Sequence, residues 1–168
     1  METPQQYTER LLGYLGGKDP FKILSSTPKK IRAYIDAVSR PTLYRKPAPN
    51  KWSIAEIIAH LAETELVMGW RYRSIAEKNG VRIQAFEQDE WAKNSGYASC
   101  KVEEMFELFH ILRKANLAFL KGLPKDKFEH YGMHEERGKE TIAHIIRLEA
   151  GHDLNHLLQI EKILKSNN

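Results

Sequence analysis

Trp52-Ser53-Ile54-Ala55-Glu56-Ile57-Ile58-Ala59-His60 is the stretch whose reading decides the fold. Ser53 and Glu56 stand at the spacing of a capping box. The Ser hydroxyl accepts the Glu56 amide, and the Glu carboxylate accepts the Ser53 amide. Trp52 and Ile57 flank the pair as a hydrophobic staple. A helix started this firmly runs from Ile54 to about Lys78, where Asn79-Gly80 stops it. Ile54, Ile57, Leu61, Met68 and Ile75 recur at helical spacing and give it an inward face.

Outward from this helix, the same signals recur. Thr3-Pro4-Gln5-Gln6 offers a cap followed by proline at the first helical position, and that helix ends at Gly16-Gly17. Thr27-Pro28 repeats the signal and predicts a helix over Lys29–Ser39, closed by Pro41. Pro47, Pro49 and Asn50 mark a turn-rich linker. Downstream, a mixed segment over residues 81–96 holds a short helix at Glu87–Lys93. A long helix then spans Cys100–Lys121, with Met105, Phe106, Phe109, Leu112, Ala115, Leu117 and Phe119 as packing residues. Gly122 and Pro124 end it. A loop with His130, His134 and Gly138 leads to a last helix over Lys139–Lys165. Nothing alternates like a strand. The expectation is an all-α fold: one domain over residues 1–168, a four-helix bundle with an additional N-terminal helix, its connections too long to guarantee simple up-down order.

Composition narrows the function classes. The 168 residues are 42% hydrophobic and 29% charged, as in an ordinary globular domain. No apolar run is long enough to span a membrane, and the N-terminus lacks the apolar core of a secretion signal. The single cysteine, Cys100, excludes an internal disulfide and fits a reducing, cytoplasmic setting; it is read as structural. The net charge of +4 hints at nucleic acid, but the basic residues are scattered among acidic ones with no aromatic-interleaved stripe, so no nucleic-acid partner is expected.

The last helix carries His152 and His156, four residues apart and therefore within about 40° on the wheel. Ile142, Ile145, Glu149, Ile160 and Ile163 share that face, so the pair points inward; His144 projects away. Two imidazoles at this spacing can hold one cation, as in HExxH, although the glutamate base of that motif is missing here. A catalytic site needs a third ligand. His60, at the edge of the inward face of its helix, is the candidate. The bland alternatives are a hydrogen-bonded core histidine at 60 and a decorative pair at 152 and 156, in a bundle that binds partners and no metal. His110, His130 and His134 have no spacing partner and read as surface or loop residues. Arg71 lies on the inner side of its helix, most simply paired with an acid.

Taken together, these segments resemble the DinB-like superfamily of metalloenzymes, which includes the YfiT-type proteins and the bacillithiol and mycothiol S-transferases. The resemblance rests on Tyr7–Pro20, on Lys51–Glu65 continuing to Arg71, on Phe86-Glu-Gln-Asp-Glu-Trp91, and on Gly151-His152-Asp-Leu-Asn-His156-Leu-Leu-Gln159-Ile160. It implies an antiparallel-type four-helix bundle in which His60, His152 and His156 coordinate one divalent metal. It also implies a possible homodimer. All-nitrogen ligation suits zinc or nickel, with iron or manganese as further options. Each ligand imidazole needs an acceptor for its second N–H, and Glu56, Glu63 and Glu149 are the candidates; Glu149 could instead serve as the catalytic base. The activity expected is transfer to a low-molecular-weight thiol or hydrolysis of small substrates. The alternative is a non-enzymatic bundle that uses metal for structure or stress sensing.

Overall fold

The structure, a computed structural model, describes residues 2–166. Helices α1 (Pro4–Leu15), α2 (Pro20–Asp36), α3 (Arg40–Tyr44), α4 (Ile54–Glu77), α5 (Gln88–Asn94), α6 (Val102–Gly122) and α7 (Ile142–Ser166) carry most of the chain. Three short strands, β1 (Val81–Ile83), β2 (Tyr131–His134) and β3 (Gly138–Thr141), form one small sheet.

The local signals for α1 and α4 act as expected. Thr3 and Gln6 close a capping box, and so do Ser53 and Glu56. Helix α2 departs from expectation. It begins at Pro20 under an Asp19 cap and runs straight through Thr27-Pro28. A proline inside a helix leaves the carbonyl four residues back without its amide. That carbonyl, on Leu24, is taken by the Arg113 guanidinium at 2.9 Å, while the Thr27 hydroxyl bonds to Ile23 O. A long-range partner thus replaces the missing local one, and no new helix start is needed.

The sheet is the second departure. β1 pairs parallel with β2, and β2 pairs antiparallel with β3, so residues 139–141 extend a hairpin before α7 begins. Strands of three or four residues are too short for an alternating pattern to register. His134, expected in a loop, is buried in β2. Ala115, expected to pack, is exposed on α6.

The bundle proper consists of α2, α4, α6 and α7, with α1 laid against α7. α4 packs on α6 and α7, and α2 packs on the same two, so α2 and α4 stand diagonally. Two apolar clusters fill the interior. One joins Ile31, Ile57, Phe109 and Ile160; the other joins Leu24, Tyr72, Leu120 and Ile146. Following each helix from one cluster to the other gives its direction: α4 runs alongside α6, α2 runs alongside α7, and the two pairs oppose each other. The expected antiparallel arrangement therefore holds between pairs but not within them. Parallel neighbours need a long return path, supplied between α4 and α6 by β1 and α5.

Contact between α1 and α7 depends on Gly151. A Cβ at that position would stand 2.2 Å from the Leu11 carbonyl oxygen, a backbone atom that cannot swing aside. Gly151→Ala should therefore lower unfolding stability by roughly 1–3 kcal/mol, the range for forced overpacking. Denaturant unfolding would show this as a lower midpoint, and loosening of α1 would appear as faster amide exchange over residues 4–15.

Candidate metal centre

Between the two apolar clusters lies a layer of buried polar side chains: Thr27 of α2, His60, Thr64 and Glu65 of α4, Arg113 and Asn116 of α6, and Glu149, His152, Asp153 and His156 of α7. The histidines occupy one part of it. His152 Nε2 lies 3.0 Å from His60 Nε2 and 3.0 Å from His156 Nε2. All three rings are buried and within 4.8 Å of one another at their ligand atoms. Trp52 closes one side, its ring 4.9 Å from His60 and stacked at 6.5 Å on His156.

Such convergence is awkward without a cation. A ring nitrogen carries either one lone pair or one hydrogen, yet His152 Nε2 faces two other ring nitrogens, and its Nδ1 is buried with no hydrogen-bond partner. Burial, together with the neighbouring imidazoles, holds His60 and His152 well below the usual histidine range, and burial brings His156 to about 4. All three are thus neutral at pH 7, the form that ligates a metal. Donor nitrogens about 2.0–2.1 Å from one ion are separated by about 3.0 Å at right angles and about 3.4 Å at tetrahedral angles. The two spacings of 3.0 Å, with all three ligand atoms within 4.8 Å of one another, suit three nitrogens gathered around one ion.

The expected acceptors stand elsewhere. The Glu56 carboxylate receives the Ser53 amide and pairs with Lys46. Glu63 accepts the Tyr97 hydroxyl. Instead, His156 Nδ1 meets Gln159 Oε1 at 3.0 Å. Gln159 lies three residues after His156 on one helix face, a spacing that could have pointed to it. Glu149 is buried one turn before His152, but its partners are the Tyr72 hydroxyl and Arg113. Burial and the adjacent Glu65 push its carboxyl well above the usual range. The structure places it in the ion network and gives it no hydrogen bond to any of the three imidazoles. Cys100, read as structural, is half-buried with its thiol on Ala55 O, and burial pushes its pKa up. Arg71, expected to pair with an acid, forms no ion pair among the described residues; it donates to Gln84 O and meets His134 Nε2 at 3.4 Å.

Beneath the histidines, Arg113 gathers Glu65, Asp153 and, at 3.4 Å, Glu149. Desolvation disfavours the Glu65 charge, but Arg113 outweighs it and lowers that pKa, while Glu149 stays high. The cluster therefore moves toward charge balance: Arg113 favours the charged form of Glu65, while burial and the adjacent Glu65 favour the neutral form of Glu149. Because Asp153 adjoins His152, this network also sets where the histidine helix sits.

Two spaces meet at the histidines. A groove of about 650 Å³ opens outward past Tyr7, Trp52, His156 and Gln159, a size suited to a small molecule. A smaller cavity of about 80 Å³ extends inward past Thr64, Arg71 and Glu149. Tyr7, Gln88 and His152 line both.

A family model of the DinB superfamily matches residues 23–160. The chain belongs to the DinB superfamily. Its fold is that of YfiT from Bacillus subtilis, a solved structure described as "a probable metal-dependent hydrolase with an unusual four-helix bundle topology"; the TM-score is 0.81 at 14% identity, over 98% of this chain and 89% of that one. Among curated sequences, a protein of Oceanobacillus iheyensis named "Putative metal-dependent hydrolase" is 20% identical over 88% of this chain and 84% of its own length. A Geobacillus kaustophilus protein of the same name is 21% identical over 82% and 78%. In this DinB chain the parallel pairing of α4 with α6 is a departure from simple up-down order, and the separate packing of α4 on α7 sets the His60 helix beside the His152 helix.

Removing one partner of a buried ion cluster strands the others. Arg113→Met should lower stability by roughly 3–5 kcal/mol, read by denaturant unfolding. Replacing Arg113 and Glu65 together by Met and Leu should recover part of that loss.

Proposed function

We propose that this DinB protein is a divalent-metal-dependent hydrolase of small molecules, with His60, His152 and His156 as the metal ligands. The observation that carries the reading is the convergence of three neutral imidazole nitrogens from α4 and α7, with His152 and His156 lining an open groove and His60 the smaller cavity behind it. When bound, a divalent cation there supplies Lewis-acid polarisation of a carbonyl or phosphoryl oxygen and lowers the pKa of water. An all-imidazole donor set favours zinc or nickel.

The chain's own residues do the rest. Gln159 accepts from His156 Nδ1, which leaves the Nε2 lone pair of that ring directed at its two neighbours. Trp52 packs against His60 and His156, fixing both rings and keeping water from that side. Only three protein donors converge, so substrate and water can approach from the groove. That openness separates a catalytic site from a closed structural one. The names of the relatives favour hydrolysis over transfer to a thiol, and no residue lining the groove supplies a feature specific for a thiol cosubstrate.

Elemental analysis of dialysed protein should find about one zinc or nickel per chain, absent from His60→Ala and from the polar variant His60→Asn. Both variants should keep the helical circular dichroism of the parent while losing at least about a hundredfold of ester or amide hydrolysis, the scale of a lost metal activator. A metal-free parent, or undiminished turnover in either variant, would overturn the reading. Unfolding of both variants would favour the structural alternative.

Gln159→Leu removes only the acceptor behind His156. Metal affinity should fall roughly 10- to 100-fold with the fold intact, measured by competition with a chromogenic chelator.

A further inference from the structure

Residues of α4 at 60, 64, 68 and 71 form one stripe, and all four line the inner cavity. Two of them are polar, buried and incompletely bonded. Arg71 is 2% exposed and its Nε has no hydrogen-bond partner; Thr64 is 6% exposed and its Oγ1 has none. A helical threonine ordinarily bonds its hydroxyl to the carbonyl of the preceding turn. This one does not. The Arg71 guanidinium donates through Nη2 to the Gln84 carbonyl at 2.8 Å and meets His134 Nε2 at 3.4 Å, and among the described residues no carboxylate pairs with it. Glu140, which faces the same cavity, is already held by Arg137 through two contacts of 2.7 and 3.0 Å. Burial, and then the charge of Arg137, lower the Arg71 pKa to about 10, which still leaves it cationic at neutral pH.

Arg71 is thus a buried cation that touches no carboxylate among the described residues, its nearest opposing charge being the Glu140 carboxylate already held by Arg137. It lines one small cavity with a hydroxyl that has no partner, and this is an unfilled binding site in electrostatic terms. We propose that Arg71 and Thr64 form an anion subsite that takes a carboxylate-sized group of the substrate, directly beside the three-histidine cluster. The cavity's size sets the class. At about 80 Å³ it holds roughly the volume of two or three waters, enough for a carboxylate and too little for a ring bearing substituents. The body of the substrate then lies in the outer groove, whose wall adds Arg10, Lys51 and Lys162. His152 lines both spaces, so the bond next to the anionic group is the one presented to the histidines. The protein would thereby select small acids carrying a hydrolysable bond close to the carboxylate.

This subsite deepens the hydrolase reading and rests on it for its catalytic meaning, but binding itself can be measured without turnover. The probe is acetate, with acetamide as the neutral isostere, titrated into the full-length chain both zinc-loaded and metal-free. The Arg71 Nε–H resonance should shift saturably with acetate and not with acetamide. By calorimetry, Arg71→Met should weaken acetate binding roughly tenfold or more, and Thr64→Val should weaken it severalfold. Equal response to acetamide, or unchanged acetate affinity in a folded Arg71→Met, would overturn the proposal. Should Arg71→Met not fold, unchanged affinity in Thr64→Val overturns the two-residue site. Acetate binding by a chain that takes up neither zinc nor nickel would keep the subsite and sink the hydrolase; uptake of either metal without acetate binding would do the reverse.

Discussion

Arg113 is the residue around which this bundle is organised. Its guanidinium leaves α6 at mid-height and reaches Leu24 O of α2, Glu65 of α4, and Glu149 and Asp153 of α7. Every bundle helix is thus tied to one planar cation whose fork geometry suits several oxygens at once. Burying such a group is unfavourable unless its charge and its donors are matched. The groups are matched here: Arg113 favours the charged form of Glu65, burial beside Glu65 favours the neutral form of Glu149, and the carbonyl released by Pro28 takes a donor. Apolar contacts in the clusters above and below are non-directional, whereas the forked guanidinium meets its oxygens at fixed positions. The ion cluster fixes the register.

Register matters because the histidines come from different helices. His60 belongs to α4, tied through Glu65 just over one turn later. His152 and His156 belong to α7, tied through Asp153 next door. A one-turn slip between the helices would carry His60 about 5.4 Å along the axis, well beyond the 3.0 Å that separates its Nε2 from that of His152. The ion network and the histidine cluster are adjacent halves of one polar layer. The first holds the second in place.

What could be read from the sequence follows the range of the interaction involved. Helices α1 and α4 were legible because their caps lie within four residues of their own starts. The inward set of α7 was legible because helical periodicity places His152, His156 and Glu149 with Ile145 and Ile160 whatever the partner helix. Helix α2 was misread at Pro28 because the group that compensates that proline lies far along the chain, on α6. The sheet was missed because its strands are short and gain their definition from pairing. The acceptors behind the histidines were misassigned for a related reason. The capping box had already committed Glu56 to the Ser53 amide, and proximity on a wheel cannot show that Lys46 also pairs with Glu56 or that Tyr97 claims Glu63.

The same layer explains why this architecture suits a small-molecule site. A bundle filled with aliphatic residues end to end leaves no room for polar groups at its centre. Interrupting the apolar packing at mid-height removes some hydrophobic stabilisation and makes a place where charges can be held in fixed orientation. Most of those charges cancel one another around Arg113. The polar groups left outside that balance, the lone pairs of three neutral imidazoles and the cationic Arg71 guanidinium, all border the cavity system reached from the outer groove. Residual polarity in an otherwise balanced interior is an energetic cost that the folded chain alone does not recover. A cation at the histidines and an anion at Arg71 would relieve it together, each strengthening the local field that favours the other.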